Sequence, residues 1–341
     1  MNNTKTLKVA VTGVGGASGQ GILKAMQQSH LLIDIIAVDC VPTSAGLFWP
    51  GVDHVLLPKP EEDIEAWKRW VTTEGINLII PGADRDLPPL AAVAPSWRQF
   101  CRIAVSSSDF VQIADDKALT YKALQTIGVG TPASLFDCNL ADALVWATYR
   151  YPVVIKPRVD AASRGMHVCK DAEELRYWFT RTKNPIVQEY LKGDEYTVSI
   201  LFDANHEPAA KFVMRRDLYA GSTYRAEVVN DMVIDNWLDE VGGKLCRAFH
   251  PFGAVNLQFR VTDTGPKIFE INARCSGSTA IRAGFGYNEP EMIVNHVLNR
   301  LPITQPRTKT GYAFRFFEEL IVPDATAADI EAQRVYDPAF G

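Results

Sequence analysis

The length, composition and charge of the chain narrow its class before any motif is considered. Its 341 residues are too many for one ordinary hydrophobic core, so two or three domains are expected. A hydrophobic fraction of 47% and a charged fraction of 22% are typical of a globular protein and exclude a disordered one. The net charge of −5 argues against a nucleic-acid-binding protein, because phosphate backbones require a basic protein face.

No segment and no cysteine pattern indicates a membrane, secreted or zinc-binding protein. No uninterrupted apolar run approaches about 18 residues, so no membrane span is expected. Residues 1–5 lead directly into a predicted strand, without a signal-peptide pattern. The six cysteines are scattered and form no C-x-x-C pair. We therefore expect reduced thiols in a cytoplasmic enzyme.

The first residues predict a βαβ unit. The β-rich run Leu7–Thr12 precedes a glycine-rich turn, an amphipathic helix over about residues 19–29 and a second strand, Ile33–Asp39. Glycines at the start of the first helix and an acid at the end of the second strand suggest a dinucleotide site. The signal is weak, since glycines also serve there simply to make a tight turn.

The α/β pattern continues to a boundary near residue 112. A helix is predicted at 63–74, a strand at 77–81, a helix at 87–94 and a strand at 102–105, which together complete a Rossmann-like domain. A further helix, opened by Asp115, Asp116 and Lys117, ends at Gly128.

The next segment combines a buried strand with a loop of small residues. The strand ends in Lys156 and Pro157, so it delivers an ammonium group to its end, although a strand-terminal lysine can also be unremarkable. The loop that follows contains Ser163, Arg164 and Gly165. Its exposed backbone N–H groups could close over phosphates, or the loop could be a plain β-turn.

Residues 185–200 predict two strands around a turn. An apolar strand leads into Gln188, Glu189, Tyr190 and Leu191, and a second strand leaves after Glu195. Free backbone groups beside Leu191 would suit an adenine edge, and a nearby carboxylate would suit ribose hydroxyls.

A predicted hairpin carries oxygen ligands for a metal ion. Gln258 lies on one strand, while Glu270 and Asn272 lie two apart on the next and therefore face the same side. If the strands pair, these oxygens converge on a hard cation such as Mg²⁺, with Arg274 beside it. Alone, the hairpin could equally be half-exposed with its polar face towards water.

From about residue 115 to 301 the chain resembles the ATP-grasp enzymes, especially their carbamoyl-phosphate-synthase-like branch. The resemblance rests on the order and spacing of Lys117, Lys156, the loop at 163–165, the segment 188–191 with Glu195, and finally Gln258, Glu270, Asn272 and Arg274. It implies an α/β and α+β protein with a Rossmann-like pre-ATP-grasp domain over 1–112. A two-lobed ATP-grasp domain would follow over 113–305, with a lid-bearing lobe at 113–190 and a metal-binding lobe at 191–305. Residues 306–341 would pack on it as an extension.

The resemblance also implies roles for the motif residues. Lys117 and Lys156 would contact the phosphates of ATP, and the loop with Ser163, Arg164 and Gly165 would close as a lid. Gln188 would contact the adenine amino group. The other implied contacts are backbone groups of the Glu189–Tyr190–Leu191 segment to adenine, Glu195 to ribose, and Gln258, Glu270 and Asn272 to Mg²⁺, or to Mn²⁺ in its place.

The implied reaction activates a small-molecule carboxylate as an acyl phosphate, which an amine attacks with release of ADP and phosphate. Arg274, with Lys156, would stabilise the transferring phosphoryl group. Arg282 follows the segment 276–279, where relatives bind the acceptor, so it is predicted to act on an amino-acid-like substrate. Arg215, Arg216 and Arg225 are further substrate candidates.

Several alternatives remain open at the level of the sequence. One is an enzyme that forms carboxyphosphate or carbamate, as the synthase does; another is a nucleotide-binding module without turnover. A hydride-transferring enzyme is a distant fourth. Homodimers are frequent among such enzymes, and no nucleic-acid or membrane partner is expected.

Overall fold

The protein, seen here as a computed structural model, is described over residues 6–159, 165–316 and 318–323. Three β-sheets with flanking helices organise this part of the chain. All six cysteines are free thiols, as the sequence predicts.

The first sheet is parallel and five-stranded, with the strand order β3-β2-β1-β4-β5. Its strands are β1 (Leu7–Thr12), β2 (Ile33–Asp39), β3 (Asp53–Leu56), β4 (Leu78–Ile80) and β5 (Arg102–Ile103). Its helices are α1 (Ala17–Gln27), α2 (Ile64–Glu74), α3 (Leu87–Trp97) and α4 (Ser108–Asp115), and short 3-10 helices lie at Ala45–Phe48 and Asp84–Asp86.

This sheet confirms the Rossmann-like topology and adds one strand to it. Strand β3 was not predicted, because its four residues, half of them polar, are too short a pattern to stand out. The predicted boundary near residue 112 falls inside α4, which runs to Asp115. Helix α4 is amphipathic and buries Phe110 and Val111, so it continues past residue 112 to Asp115.

The second sheet is antiparallel and four-stranded, with the order β6-β9-β7-β8. Its strands are β6 (Ser134–Leu135), β7 (Val153–Pro157), β8 (His167–Cys169) and β9 (Pro185–Glu189). Helices α5 (Lys117–Thr126), α6 (Leu140–Ala147) and α7 (Ala172–Phe179) accompany it in the chain.

The third sheet is antiparallel and six-stranded, with the order β14-β13-β10-β11-β12-β15. Its strands are β10 (Glu195–Phe202), β11 (Pro208–Tyr219), β12 (Ser222–Val228), β13 (Gly253–Thr262), β14 (Gly265–Asn272) and β15 (Tyr312–Phe314). Helices α8 (Met232–Phe249), α9 (Thr279–Gly284) and α10 (Glu289–Val297) complete the described elements. Strand β15 lies in the predicted C-terminal extension and pairs with β12.

Hydrophobic packing joins the first sheet to the third and leaves the second with its own core. Ala10 and Ile79 of the parallel sheet belong to the same buried cluster as Val198 and Phe259 of the six-stranded sheet. A separate cluster, which includes Val153, fills the space between the four-stranded sheet and helices α6 and α7. Because the first and third sheets share a core, the loops at their strand ends are held against each other.

Several helices begin at aspartates that act as N-caps. Asp63 accepts a hydrogen bond from the Ala66 N–H, and Asp116 and Asp231 cap α5 and α8 in the same way. Such caps satisfy N–H groups that the first helical turn leaves without a partner.

Asp86, which follows β4, is a buried carboxyl group with an unusual proton affinity. Only 4% of the residue is exposed, and the Thr12 hydroxyl donates to its Oδ2 at 2.5 Å. Burial raises the pKa of Asp86 to about 6, although the Thr12 hydrogen bond and the charge of Arg85 oppose that shift. A carboxyl group with a raised pKa in the folded state reduces stability as the pH rises between its unfolded and folded pKa values.

We expect Asp86→Asn to stabilise the protein at pH 7 by about 1–3 kcal/mol, because the amide removes a buried charge while it can still accept from Thr12. Urea unfolding of both proteins between about pH 3.5 and 8 measures this change in the free energy of unfolding. The difference should shrink below about pH 4, where both states of the natural protein are protonated. A variant that is less stable at pH 7 would contradict the proposed cost of the charge.

Candidate functional site

The β13–β14 hairpin carries a polar ladder on one face. Gln258 lies opposite Glu270 in the register, and Asn256 lies opposite Asn272. The Nε2 of Gln258 and the Nδ2 of Asn272 both donate to Glu270 Oε1, at 3.3 and 3.1 Å. The structure thus brings together the three predicted metal-binding side chains.

A β-bulge next to this ladder places an aromatic ring beside it. The register shifts after Gln258, so that Phe259 pairs with Ile268 and Phe269 is left over. A bulge turns the extra side chain out of the regular alternation. Phe269 consequently lines the same cavity as Glu270, and the Lys156 Nζ lies 5.8 Å from its ring centre.

Arg274, two residues after the ladder, connects the hairpin to the first domain. Its Nε and Nη2 donate to the two carboxylate oxygens of Asp84, both at 2.6 Å, and its Nη1 donates to Ser18 Oγ at 3.0 Å. This fork-on-carboxylate geometry is the strongest form of a charged hydrogen bond. The guanidinium group of Arg274, which was predicted to lie beside the metal site, is therefore next to Asn272. It is held there by Asp84, which follows β4.

A cavity of about 250 Å³ lies between the second and third sheets. The predicted nucleotide-binding residues that line it are Lys117, Lys156, Gln188, Glu189, Tyr190, Leu191 and Glu195. Met166, at the end of the predicted lid, and Val168, in β8, also line it. Ser163 and Arg164 lie outside the described residues, and the neighbouring Gly165 has a left-handed φ of 66°.

Lys156 faces this cavity from the end of β7. Val153 and Ile155 point into the core of the four-stranded sheet, so the alternate positions Val154 and Lys156 face the cavity. Burial lowers the pKa of Lys156 to about 8, while the carboxylate of Glu270 partly opposes this shift and Lys117 reinforces it. The ammonium group is thus poorly solvated and short of negative charge.

Several polar groups at the end of β9 and just after it already form hydrogen bonds within the protein. Gln188 is 4% exposed and its Nε2 donates to Ser134 Oγ at 2.8 Å. The Glu189 N–H donates to the Ala133 carbonyl, and the Leu191 carbonyl accepts from Arg260 Nη1. Of the backbone groups expected to meet adenine, these two are therefore already paired within the protein.

Glu195 forms a buried bridge between two arginines. Its Oε1 accepts from Arg216 Nε and Nη2 at 3.1 and 2.8 Å, and its Oε2 accepts from Arg260 Nη2 at 2.8 Å. Arg216 also donates to Gln258 Oε1 at 2.7 Å. The carboxylate thereby orients an arginine that reaches the metal ladder.

A second and larger cleft, of about 580 Å³, lies between the first sheet and the third. The glycine turn after β1 and residues 82–85 after β4 form one wall, and residues 221–223 and 276–278 form another. Gln258 and Glu270 line both this cleft and the smaller cavity. The polar ladder is therefore the shared wall between the two spaces.

The glycine turn shapes the cleft and does not carry a free acid for a ribose. Asp39 Oδ2 accepts from the Gly15 N–H, and its Oδ1 accepts from the N–H groups of Cys40 and Val41. Gly13 has a φ of 63° and a Cβ there would lie 2.5 Å from that of Ala83. The acid that suggested a dinucleotide site is thus used to hold the turn.

Arg282 is the predicted site residue that the structure does not bring to the cleft. It is 0% exposed, and its Nη1 donates to the equally buried Glu289 at 2.6 Å. Its Nη2 donates to Asn256 Oδ1 and to Thr197 Oγ1 at 2.6 and 3.2 Å. Arg282 does not line the cleft, and its guanidinium group is enclosed by protein partners, so the catalytic role predicted for Arg282 is not supported.

The other arginine candidates divide between the cleft and the surface. Arg216 lines the cleft, whereas Arg215 pairs with Asp194 and Glu227 and Arg225 pairs with Asp217. Exposed ion pairs of this kind contribute little to the stability of the fold.

Sequence reasoning missed Asp84, Asn256 and Arg315 in the cleft. Arg315 follows β15, in a segment to which no chemistry was assigned, and its Nη2 donates to the Gly277 carbonyl at 2.6 Å. Asn256 alternates with Gln258 on β13, so the same period-two argument would have found it.

Comparison with known proteins agrees with this geometry. Residues 181–319 match the family described as "ATP-grasp in the biosynthetic pathway with Ter operon". The chain has an ATP-grasp fold. The resemblance predicted from the motif residues, including that to carbamoyl-phosphate synthase, is confirmed.

Three similar proteins represent the range of relatives. The carbamoyl phosphate synthase large chain of Clostridium perfringens is 25% identical over 184 residues, which are 50% of this chain and 17% of that protein. The D-alanine–D-alanine ligase of Aquifex aeolicus is 24% identical over 173 residues, or 47% of this chain and 58% of the ligase. Both matches span less than two thirds of the relative's own length.

The third is a solved structure with the same overall fold. The biotin carboxylase domain of the Hydrogenobacter thermophilus 2-oxoglutarate carboxylase, in complex with MgADP, ADP and bicarbonate, superposes with a TM-score of 0.68. Sequence identity is 14%, over 89% of this chain and 73% of that one.

None of the helices in the described residues has the length and apolar character that a membrane crossing requires.

We expect Glu195→Gln to lower the free energy of unfolding by about 2–4 kcal/mol, because it leaves Arg216 and Arg260 without their shared charge partner in a largely buried place. Urea unfolding at neutral pH measures the change. Glu240→Gln is the matched control, since Glu240 pairs with Lys244 on the surface of α8. Equal stability of both variants would contradict the structural role of the Glu195 bridge.

Proposed function

We propose that the protein is an ATP- and Mg²⁺-dependent ligase that activates a small-molecule carboxylate as an acyl phosphate and joins it to an amine, with release of ADP and phosphate. The fold supports this reaction class, since relatives named as ligases share it. The substrates would be amino-acid-like. The homodimer, the cytoplasmic location and the domain limits at residues 112 and 305 stay predictions.

The observation that carries the proposal is the shared wall of Gln258 and Glu270. A phosphoryl transfer requires the nucleotide on one side and the acceptor carboxylate on the other, with charge neutralisation between them. The smaller cavity has the lysines and the β9 strand end that suit a nucleotide. The larger cleft is lined by the same Glu270.

The residues of the ladder fit a Mg²⁺ ion. Glu270, Gln258 and Asn272 would hold it through one carboxylate and two amide oxygens once both amides turn, because their nitrogens face Glu270 in the free protein. No group of three or more His, Cys, Asp or Glu side chains suited to a metal occurs among the described residues. Mg²⁺ is usually bound by one or two carboxylates together with substrate phosphates, and Glu270 would supply one of them. When bound, the ion would neutralise charge on the transferring phosphoryl group.

The protein's own side chains would position and neutralise the reactants. Lys156 and Lys117 would contact phosphate oxygens, and the buried Lys156 ammonium would gain negative charge in addition to that of Glu270. Gln188 would accept from the adenine amino group through its carbonyl oxygen, since its Nε2 is bound to Ser134. Arg274, fixed by Asp84, would stabilise the developing charge, and closure of the lid would exclude water.

The experiment that tests the function is a screen for ADP release. The protein, ATP and Mg²⁺ are incubated with pooled carboxylates and amines, and ADP and AMP are followed in parallel. ADP and phosphate that appear only with a carboxylate–amine pair would establish the ligase and name its substrates. AMP and pyrophosphate would reject the acyl-phosphate mechanism. ADP released with bicarbonate in place of an organic carboxylate would favour the carboxyphosphate-forming alternative.

Glu270→Gln should abolish Mg²⁺-dependent turnover and leave the fold intact, because an amide of the same shape carries no charge to hold the cation. The measurements are ADP release and thermal unfolding. Glu227→Gln, on β12, is the control for an acid-to-amide change outside both cavities, and it should retain turnover. Undiminished activity of Glu270→Gln would reject the metal site.

Nucleotide affinity should fall as the pH rises above about 8, because Lys156 loses its proton in the free protein at that pKa while bound phosphates hold the proton on. The expected increase in the Kd of Mg·ATP approaches about tenfold per pH unit. Calorimetry from neutral pH upwards measures it. Lys156→Arg should bind without this dependence, since arginine stays protonated. The same slope in both proteins would remove Lys156 from the phosphate site.

A further inference from the structure

Asn256 is a buried amide at the edge of the larger cleft. It precedes Gln258 by two residues on β13, lies opposite Asn272, and is 1% exposed. It nevertheless lines the cleft together with Glu270 and Asn272. We propose that the Asn256 amide nitrogen donates a hydrogen bond to the carboxylate substrate, and that Arg282 and Glu289 hold it in that orientation. This inference rests on the proposed ligase function.

The acceptor side of Asn256 is fully committed to the protein. Its Oδ1 accepts from Arg282 Nη2 at 2.6 Å and from Thr197 Oγ1 at 2.9 Å. A guanidinium group can only donate, so it can bond to the oxygen of the amide and never to the nitrogen. The orientation of the Asn256 amide is therefore set by Arg282, and its two N–H donors must point elsewhere.

The donor side of Asn256 has no partner in the protein. Its Nδ2 is buried and makes no hydrogen bond to any described residue. Buried donors in folded proteins are rarely left unsatisfied, because the hydrogen bonds lost from water are not replaced. Arg282 and Thr197 do not line the cleft and Asn256 does, so the cleft is the side on which an acceptor can approach the nitrogen.

The surroundings favour a carboxylate as that acceptor. Arg216 and Arg315 line the same cleft, and Arg315 Nη2 donates to the Gly277 carbonyl at 2.6 Å. Thr223 and Ser278 add hydroxyl groups, which hydrogen-bond to each other at 3.1 Å. Neutral and cationic donors on these walls suit an oxyanion next to the proposed metal site.

Arg282 acts through Asn256, and it is a positioning residue. Its ion pair with Glu289 is 0% exposed on both sides, and Arg282 lies on α9 while Glu289 begins α10. A buried ion pair often adds little stability compared with apolar residues of similar volume. Its use here is to deliver one N–H to Asn256 Oδ1 in a fixed direction.

The test observes the Asn256 amide directly in the full chain. Protein labelled with ¹⁵N-asparagine is saturated with Mg²⁺ and a non-hydrolysable ATP analogue, and acetate is the carboxylate probe. The side-chain signals of Asn256 are assigned from their loss in Asn256→Asp. We expect acetate to shift them in a saturable way. The absence of a shift, or a shift with inorganic phosphate and none with acetate, overturns the proposal.

Asn256→Asp tests the donor without removing the buried contacts. Its carboxylate can still accept from Arg282 and Thr197, so the fold should be retained, but it presents an acceptor to the cleft in place of a donor. Acetate affinity, followed through the signals of Asn272, should fall at least about tenfold, while affinity for the nucleotide analogue stays unchanged. Asn299→Asp is the control, because Asn299 is exposed and its amide contacts Asn295. Unchanged acetate affinity in Asn256→Asp overturns the proposal.

The double variant Arg282→Met with Glu289→Leu tests the positioning role, since it removes both buried charges together. With Arg282 gone, the Asn256 amide can flip, so acetate affinity should fall about tenfold while nucleotide binding is kept. Arg282→Lys is the second test if the double variant does not fold, because an ammonium lacks the fork that reaches Glu289 and Asn256 together. Full acetate affinity in a folded variant overturns the positioning role.

The same samples separate this inference from the proposed function. If the unmodified protein does not bind the nucleotide analogue, the ligase proposal fails, and the acetate titration is carried out without nucleotide. If nucleotide binds and acetate leaves the Asn256 signals unmoved, the ligase proposal stands and the role of Asn256 fails.

Discussion

The register between β13 and β14 is the constraint on which the candidate site depends. Gln258 lies opposite Glu270 and Asn256 opposite Asn272, so four polar side chains share one face of the hairpin. The alternate residues, among them Leu257 and Ile271, are buried on the other face. A slip by one residue would expose the apolar set and bury the polar one, so the hydrophobic core fixes the polar ladder in place. The register of these two strands therefore determines both the stability of the sheet and the geometry of the site.

Charge in the site is arranged in pairs before any ligand arrives. Asp84 holds Arg274, and Glu195 holds both Arg216 and Arg260, through hydrogen bonds to charged groups in partly buried places. These pairs fix the directions of the cations, so that little reorganisation is needed when a charged reactant enters. Lys156 differs, because burial lowers its pKa to about 8 and Glu270 only partly compensates. Its ammonium group has too little negative charge nearby in the free protein, and a bound anion would supply that charge.

The first domain contributes walls and anchors to the cleft. The carboxylate of Asp39 holds the glycine turn through the N–H of Gly15, and Asp84 and Ser18 hold Arg274. The shared hydrophobic core between the first and third sheets keeps these loops in position. The smaller four-stranded sheet has a core of its own, and the nucleotide-sized cavity lies where it meets the third sheet. One cavity thus lies between the first and third sheets, and the other lies between the second and third.

The sequence by itself determined the local order of the chain and the composition of the site. Period-two alternation placed Gln258, Glu270 and Asn272 on one hairpin face, and glycines between strand and helix predicted the parallel sheet, because these patterns depend only on near neighbours. The tertiary structure alone decided which partner each charged side chain meets. Arg282 follows the segment 276–279, which was predicted to bind the substrate, but its side chain is buried against Glu289. Arg315 follows a short strand, yet its side chain lines the cleft. Contacts between residues far apart in the chain are set by how sheets pack, and no local pattern contains that information.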